Sequence, residues 1–313
     1  MAERPEVHGF IGTEQRSAFV EAIRSYYESH GRRDMPWRQT HEPYHILVSE
    51  IMLQQTQVSR VIPRFHEFLT LFPDVYALAS APLRDVIASW SGLGYNRRAR
   101  FLHETARRVV DEYRGRIPED VGVLRTFPGI GVNTAGSISC FAYNTPVVFI
   151  ETNIRRSMIY HFFSENDRSA EAEPGLWPRD LVAEDPGKIW FQPRTPIGRV
   201  DDKSLLPLVE ATLDYKDPRT WYYALMDYGN ALVRYMPNPN RASRQYVRQS
   251  RFEGSRRQVR GRVVRILSEV QSASVEVLSD GTGVESEQLR SVLEDLKREG
   301  LVTVTDSAWR ISD

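Results

Sequence analysis

The 313-residue chain contains one cysteine, Cys140, four lysines and no run of 18 apolar residues. A single thiol excludes an intramolecular disulfide framework and a cysteine-ligated zinc or iron–sulfur site within one chain. Cys140 lies in an apolar stretch and reads as a small buried hydrophobe. No membrane-spanning helix is expected, and the opening MAERPEVHGF has no apolar signal core, so a cytoplasmic location is expected. The chain also lacks net charge: 41 basic residues balance 41 acidic ones. The total therefore argues neither for nor against a polyanionic partner. Apart from Lys188, Lys203, Lys216 and Lys297, every basic residue is arginine. Arginine is the better bidentate phosphate ligand, although a GC-rich genome would give the same bias.

What is present is ordinary for a globular protein: 41% hydrophobic and 26% charged residues, on a length that suggests about two domains. Residues 13–30 read as a helix capped at Thr13, with Phe19, Ile23 and Tyr26–Tyr27 at helical spacing. Residues 44–72 continue at that spacing, with Pro63 marking a break or the first turn of a second helix. Helical runs follow at 81–90, 96–114, 120–126, 134–143, 153–163, 205–213 and 219–235. Short turns such as SGLGYN, GRIP and FPGIG separate several of them, and Val147–Ile150 is too short to imply a sheet.

Residues 164–204 break the pattern, with five prolines and no period, and read as a long insertion. Residues 241–265 hold nine arginines against one acid, Glu253; from Ile266 onward the sign flips to ten acids against four bases. This last part reads as helix 258–269, short segment 274–277, helix 278–281, helix 286–299, then two β-like runs at 301–304 and 308–311. The order resembles a small winged-helix domain. The expected division is 1–240, an arginine-rich linker 241–257 and a winged-helix-like domain 258–313.

Two carboxylates stand out. Glu50 lies inside an apolar helix, either as partner to a buried arginine or as a general acid with its pKa raised by burial. Glu151 and Asn153 follow the VVFI run and precede a helix, which alone makes them a cap with a stabilising anion. Between them, Phe127-Pro128-Gly129-Ile130-Gly131 opens another helix. A Gly-x-Gly turn at a helix N-terminus suits a phosphate, and helical residues before it make the unit helix–hairpin–helix rather than a Rossmann or P-loop site. That favours a clamp on a nucleic-acid backbone.

The order PWR…PY…SEIMLQQTQV…WSGLGYNRRAR…FPGIGVNTAG…ETNIRR…MDYG resembles the helix–hairpin–helix DNA glycosylases, most closely their adenine-excising MutY-like branch. The likeness covers roughly 31–163 and 205–235. It implies a two-lobed all-α fold with DNA bound across the cleft, carrying here a small C-terminal winged-helix-like α+β domain. It also implies an enzyme of base-excision repair, nucleoid-associated when bound to DNA. Glu50 matches the catalytic glutamate, which protonates the purine leaving group. Glu151 stands where the family normally has aspartate, the carboxylate that stabilises the oxocarbenium-like sugar. Asn153 matches the asparagine beside it. Gln54 and Gln55 match the DNA-contacting pair, Gln55 being wedged beside the extruded base, and Tyr95 matches the intercalating tyrosine. Gly129 and Gly131 match the hairpin. Asn133 stands where bifunctional relatives carry a Schiff-base lysine, and asparagine cannot form an imine, so hydrolysis without lyase chemistry is expected.

Three departures accompany the resemblance. The family's four cluster-binding cysteines are missing from YMPNPNRASRQYVRQSRF, so no iron–sulfur cluster, cofactor or metal is expected, and Arg244, Arg248 and Arg251 are expected to contact phosphates instead. The chain after Arg257 is too short for the family's C-terminal domain of about 120 residues that checks for 8-oxoguanine. The 164–204 insertion has no counterpart. The expected partner is double-stranded DNA with a mispaired or damaged base, adenine opposite guanine or 8-oxoguanine being the expected substrate. Two rivals are a glycosylase for another base and a non-catalytic DNA-binding regulator. The acidic C-terminal domain speaks against the regulator and suits a packing element or a protein partner.

Overall fold

The computed structural model describes residues 11–166, 194–248 and 251–312, so most of the expected insertion lies outside the described residues. The order is α1 (Thr13–His30), α2 (Pro43–Leu53), α3 (Val58–Leu71), α4 (Val75–Ser80), α5 (Leu83–Ser89), α6 (Arg97–Tyr113), α7 (Val121–Leu124), α8 (Val132–Tyr143) and α9 (Thr152–Phe162). The short strands β1 (Ser164–Asn166) and β2 (Arg194–Pro196) pair antiparallel. Then come α10 (Asp202–Thr212), α11 (Pro218–Tyr235), a 3₁₀ turn (Pro239–Ala242), α12 (Arg256–Glu269), α13 (Val275–Thr282), α14 (Ser286–Arg298) and the hairpin β3 (Val302–Thr305) and β4 (Ala308–Ile311). The expected all-α body and small C-terminal α+β element are both present.

Two boundary readings need correction. Thr13 does not cap α1. Gly12 holds the extended cap conformation, with no side-chain hydrogen bond, and Thr13 is already helical. Nor does the chain break at Pro63, which sits inside α3. The break falls at Gln54–Gln57, where Gln55 takes the left-handed backbone (φ 56°) that a right-handed helix cannot continue through.

The described residues divide into two compact units. The first comprises those within 1–34 and 139–248. Here α11 packs along α9 and α1, burying Phe19, Ile23, Tyr222 and Tyr228 almost completely. Gly229 makes the α9 contact possible, because a β-carbon there would collide with the Asn153 carbonyl. Asp227 is buried at 2% exposure and receives the Arg32 backbone N–H and guanidinium at 2.9 and 2.8 Å.

The second unit comprises the described residues within 35–138 and 249–313. Pro43 starts α2 at a position where a missing N–H costs nothing. The helix then buries Tyr44, Ile46, Leu47, Val48, Ile51 and Met52, which sets it in the middle of the unit. α12 joins the same core through Val259, Val263 and Leu267, and packs on α5. The hairpin turn runs through Asp306 and Ser307, both at positive φ, and pairs Val302 with Ile311. An isolated bridge from Ala273 to Trp309 ties it back between α12 and α13.

Candidate active site

In the second unit, Glu50 is the one carboxylate on α2 and is half-buried. Ser137, on α8, donates to its Oε2 at 2.5 Å. The same hydroxyl lies 3.0 Å from the Thr134 carbonyl. One proton serves one acceptor at a time, and the Glu50 oxygen is the closer of the two. Glu50 is thus held by a neutral donor.

The turn after α2 is fixed from within. Arg98, 8% exposed, donates through Nη1 to the carbonyls of Ile51, Met52 and Gln54 at 2.8, 2.9 and 2.7 Å. Through Nη2 it reaches Thr56 Oγ1 at 3.0 Å and the carbonyls of Leu93 and Gly94 at 3.2 and 2.9 Å. The four Nη N–H groups are shared among these six acceptors, so one guanidinium joins the end of α2 to the GLGY turn. Burial lowers its pKa to about 10, so it stays cationic at neutral pH. Both turns place a non-glycine residue in left-handed backbone, Gln55 at φ 56° and Tyr95 at φ 50°. Such conformations persist only where the surroundings enforce them, and they cluster at functional sites.

Gln54 Nε2 donates to the Gly129 carbonyl and to Thr134 Oγ1, both at 3.2 Å, linking that turn to the hairpin. Gly129 needs its glycine: its φ is 72°, and a β-carbon would strike Phe101. Gly131 precedes α8, and Asn133 is its second residue. The Tyr95 hydroxyl accepts from Arg257 Nη1 at 2.6 Å, and that guanidinium lies 5.4 Å from the ring centroid. Gln54, Gln55, Tyr95 and Gly129 share a groove of about 1020 Å³, whereas Gly131 and Asn133 do not line it. Eight arginines and two carboxylates line the same groove, so its charge is strongly positive.

In the first unit, Glu151 is the N-cap of α9. Its Oε1 accepts from the backbone N–H groups of Asn153 and Ile154 at 2.6 and 2.9 Å, and Asn153 Nδ2 donates to Oε2 at 3.2 Å. Burial raises its pKa; the two backbone N–H groups, Arg156 and Arg155 oppose that rise. Arg156 Nη1 donates to Asn153 Oδ1 at 2.7 Å and fixes the amide orientation. The cap reading and the proximity of Glu151 to Asn153 are thus both present in the geometry.

The segment expected to replace a cluster loop is closed by amides. Asn238 Oδ1 accepts from Asn240 N and from Arg156 Nε, each at 3.1 Å. Asn240, 3% exposed, donates to the Thr152 carbonyl at 2.9 Å. The single cysteine, Cys140, is buried on α8, away from this segment in the sequence. Among the described residues, no group of three or more His, Cys, Asp or Glu side chains could hold a metal, and no helix is long and apolar enough to cross a membrane. Arg244, Arg248 and Arg251 are exposed and do not line that groove.

Sequence reasoning missed Arg98, Ser137, Arg156 and Arg257. Arg98 had a signal: it lies four residues before buried Leu102, hence on the inner face of α6. Ser137 carried no distinguishing mark among the small residues of α8.

The family model described as the helix–hairpin–helix superfamily of base excision DNA repair proteins matches residues 48–178. The adenine DNA glycosylase of Mycolicibacterium smegmatis is 47% identical over 133 residues, covering 42% of this chain and 45% of the relative. That of Buchnera aphidicola subsp. Baizongia pistaciae is 38% identical over 159 residues, covering 51% and 45%. The chain thus spans about half the length of the curated relatives it matches. The structure of a thermostable thymine-DNA glycosylase aligns with a TM-score of 0.52 at 24% identity, over 69% of this chain and 86% of that one, a likeness of fold. The likeness to the helix–hairpin–helix superfamily of base-excision DNA-repair proteins thus covers residues 48–178, less than half of the chain.

Proposed function

We propose that the protein is a monofunctional DNA N-glycosylase that flips a base out of a duplex and hydrolyses its bond to the sugar, acting on adenine mispaired with guanine or 8-oxoguanine. One observation carries this reading. A half-buried carboxylate, Glu50, is held by Ser137 on a helix whose end is the Gln54–Gln55 turn. In its protonated form Glu50 is the acid for the purine leaving group. Glu151, held by the start of α9 and by Asn153, is the anion for the cationic sugar. Gln55 and Tyr95 fill the space the base vacates, and base flipping delivers the base to the acid. Asn133 offers no amine, which supports hydrolysis without strand cleavage. The adenine assignment is supported by the names of the relatives above. A single buried thiol supports a cluster-free enzyme, and the positive groove supports double-stranded DNA as partner.

The test is a panel of duplexes with different lesions and opposite bases, scored for abasic sites with and without alkali. Adenine excision opposite guanine or 8-oxoguanine, with strand breaks only after alkali and no borohydride-trapped adduct, is the expected result. Excision of a different base would keep the chemistry and replace the substrate. Binding without excision on every duplex would leave the regulator reading.

A further inference from the structure

One wall of the groove in the second unit belongs to α12, a helix outside the matched region 48–178. Arg257, Gly261 and Arg265 follow one another at four-residue spacing, so they share a face of α12, and all three line the groove opposite the turns that carry Gln55 and Tyr95.

Gly261 is the unexplained residue. Glycine inside a helix is destabilising relative to alanine and normally has a packing reason. Gly281 on α13 has one, since a β-carbon there would meet Ile266 Cδ1 at 2.8 Å. A β-carbon at Gly261 meets nothing within 4 Å. The space before it is open and flanked by arginines one turn away on each side. A bare helix backbone between cations admits close approach of an extended anionic chain.

We propose that α12 is a second DNA-binding wall, on which one strand's sugar-phosphate backbone crosses Gly261 between Arg257 and Arg265. The proposal rests on the glycosylase reading and deepens it, because it makes the C-terminal element part of the duplex site. Arg257 acts here as a positioning residue as well, since it already holds the Tyr95 hydroxyl. The occupant follows from charge: eight arginines against two carboxylates around the groove attract a polyanion.

The test uses the full chain and an undamaged duplex, with binding followed by fluorescence anisotropy across a salt series. Gly261→Gln should weaken binding about tenfold, by filling the space the backbone needs, without lowering the thermal midpoint. Arg265→Ala, whose side chain is 59% exposed, should reduce the log–log salt slope by about 0.9 and keeps the test independent of folding. Arg298→Ala, on a 77%-exposed side chain outside the groove, should change neither. Wild-type affinity and slope in both Gly261→Gln and Arg265→Ala would overturn the proposal while leaving excision by the wild type intact. Failure of the wild type to bind any duplex would overturn the glycosylase reading along with it.

Discussion

Ser137 donates a 2.5 Å hydrogen bond to Oε2 of Glu50 although 87 residues separate them in the chain. The bond ties the carboxylate of α2 to the helix that the hairpin opens, so two motifs distant in sequence hold one acid. Glu50→Gln keeps the shape and removes the transferable proton. Base excision under single-turnover conditions should fall by about 10²–10⁴, with duplex affinity nearly unchanged. Ser137→Ala should cost less, about tenfold in rate, because one side-chain hydrogen bond is worth roughly 1 kcal/mol and a tenfold change corresponds to about 1.4 kcal/mol. A wild-type rate in Glu50→Gln would remove Glu50 from the chemistry.

Burial raises the Glu151 pKa in the folded protein above the ordinary glutamate value of about 4.5. Above that value the folded state holds the proton longer than the unfolded state does. Its contribution therefore favours folding at low pH and is lost as pH rises through the raised pKa. Glu151→Gln does not titrate. The midpoint of the glutamine variant relative to wild type should rise as pH increases from about 4.5 toward neutrality. Excision by the variant should be strongly reduced, since an amide cannot stabilise a cationic sugar as an anion does. A midpoint difference flat with pH would mean that burial does not govern this carboxylate.

Arg98 should matter to both turns at once. Arg98→Met leaves the carbonyls of Ile51, Met52, Gln54, Leu93 and Gly94 without their shared donor. The expected destabilisation is roughly 3 kcal/mol or more, which for a chain of this size lowers Tm by roughly 6–12 °C. Arg98→Lys should recover little of it, because one ammonium cannot fork between the two turns. Thermal melts followed by circular dichroism check this, and an unchanged melt would show that water satisfies those carbonyls.

The helices were legible in the sequence because apolar spacing reports which face is buried, and the helix–hairpin–helix order was legible because Gly129 and Gly131 punctuate it. The same spacing placed Glu50 inside an apolar helix and Glu151 just before another. It could not show that Gln55, rather than Pro63, ends the first of two consecutive helices, because left-handed backbone at a glutamine is enforced by tertiary contacts such as those of Arg98. Nor could it separate Arg98 from its neighbours Arg97 and Arg100, or find Ser137, whose role depends on a contact 87 residues away. The arginine run 241–265 read as one feature, yet its members differ: Arg256 begins a helix that packs into a core, while Arg244, Arg248 and Arg251 are exposed.

That exposure frames the last prediction. Arg244, Arg248 and Arg251 are three exposed arginines that follow the amide-pinned 3₁₀ turn in the sequence. If they neutralise phosphates, each releases condensed counterions and contributes about 0.9 to the log–log salt slope on B-DNA. Replacing Arg244, Arg248 and Arg251 together with alanine should flatten the slope by about two to three units and weaken binding equally for lesion-bearing and undamaged duplexes, because phosphate contacts carry no sequence information. Thermal stability should hold, as exposed arginines contribute little to folding. Excision at saturating enzyme should also hold if these groups only position DNA. An unchanged slope would make the segment a solvated linker and leave the phosphate contacts to the groove arginines. A collapse of saturating excision would instead place the segment in the chemistry.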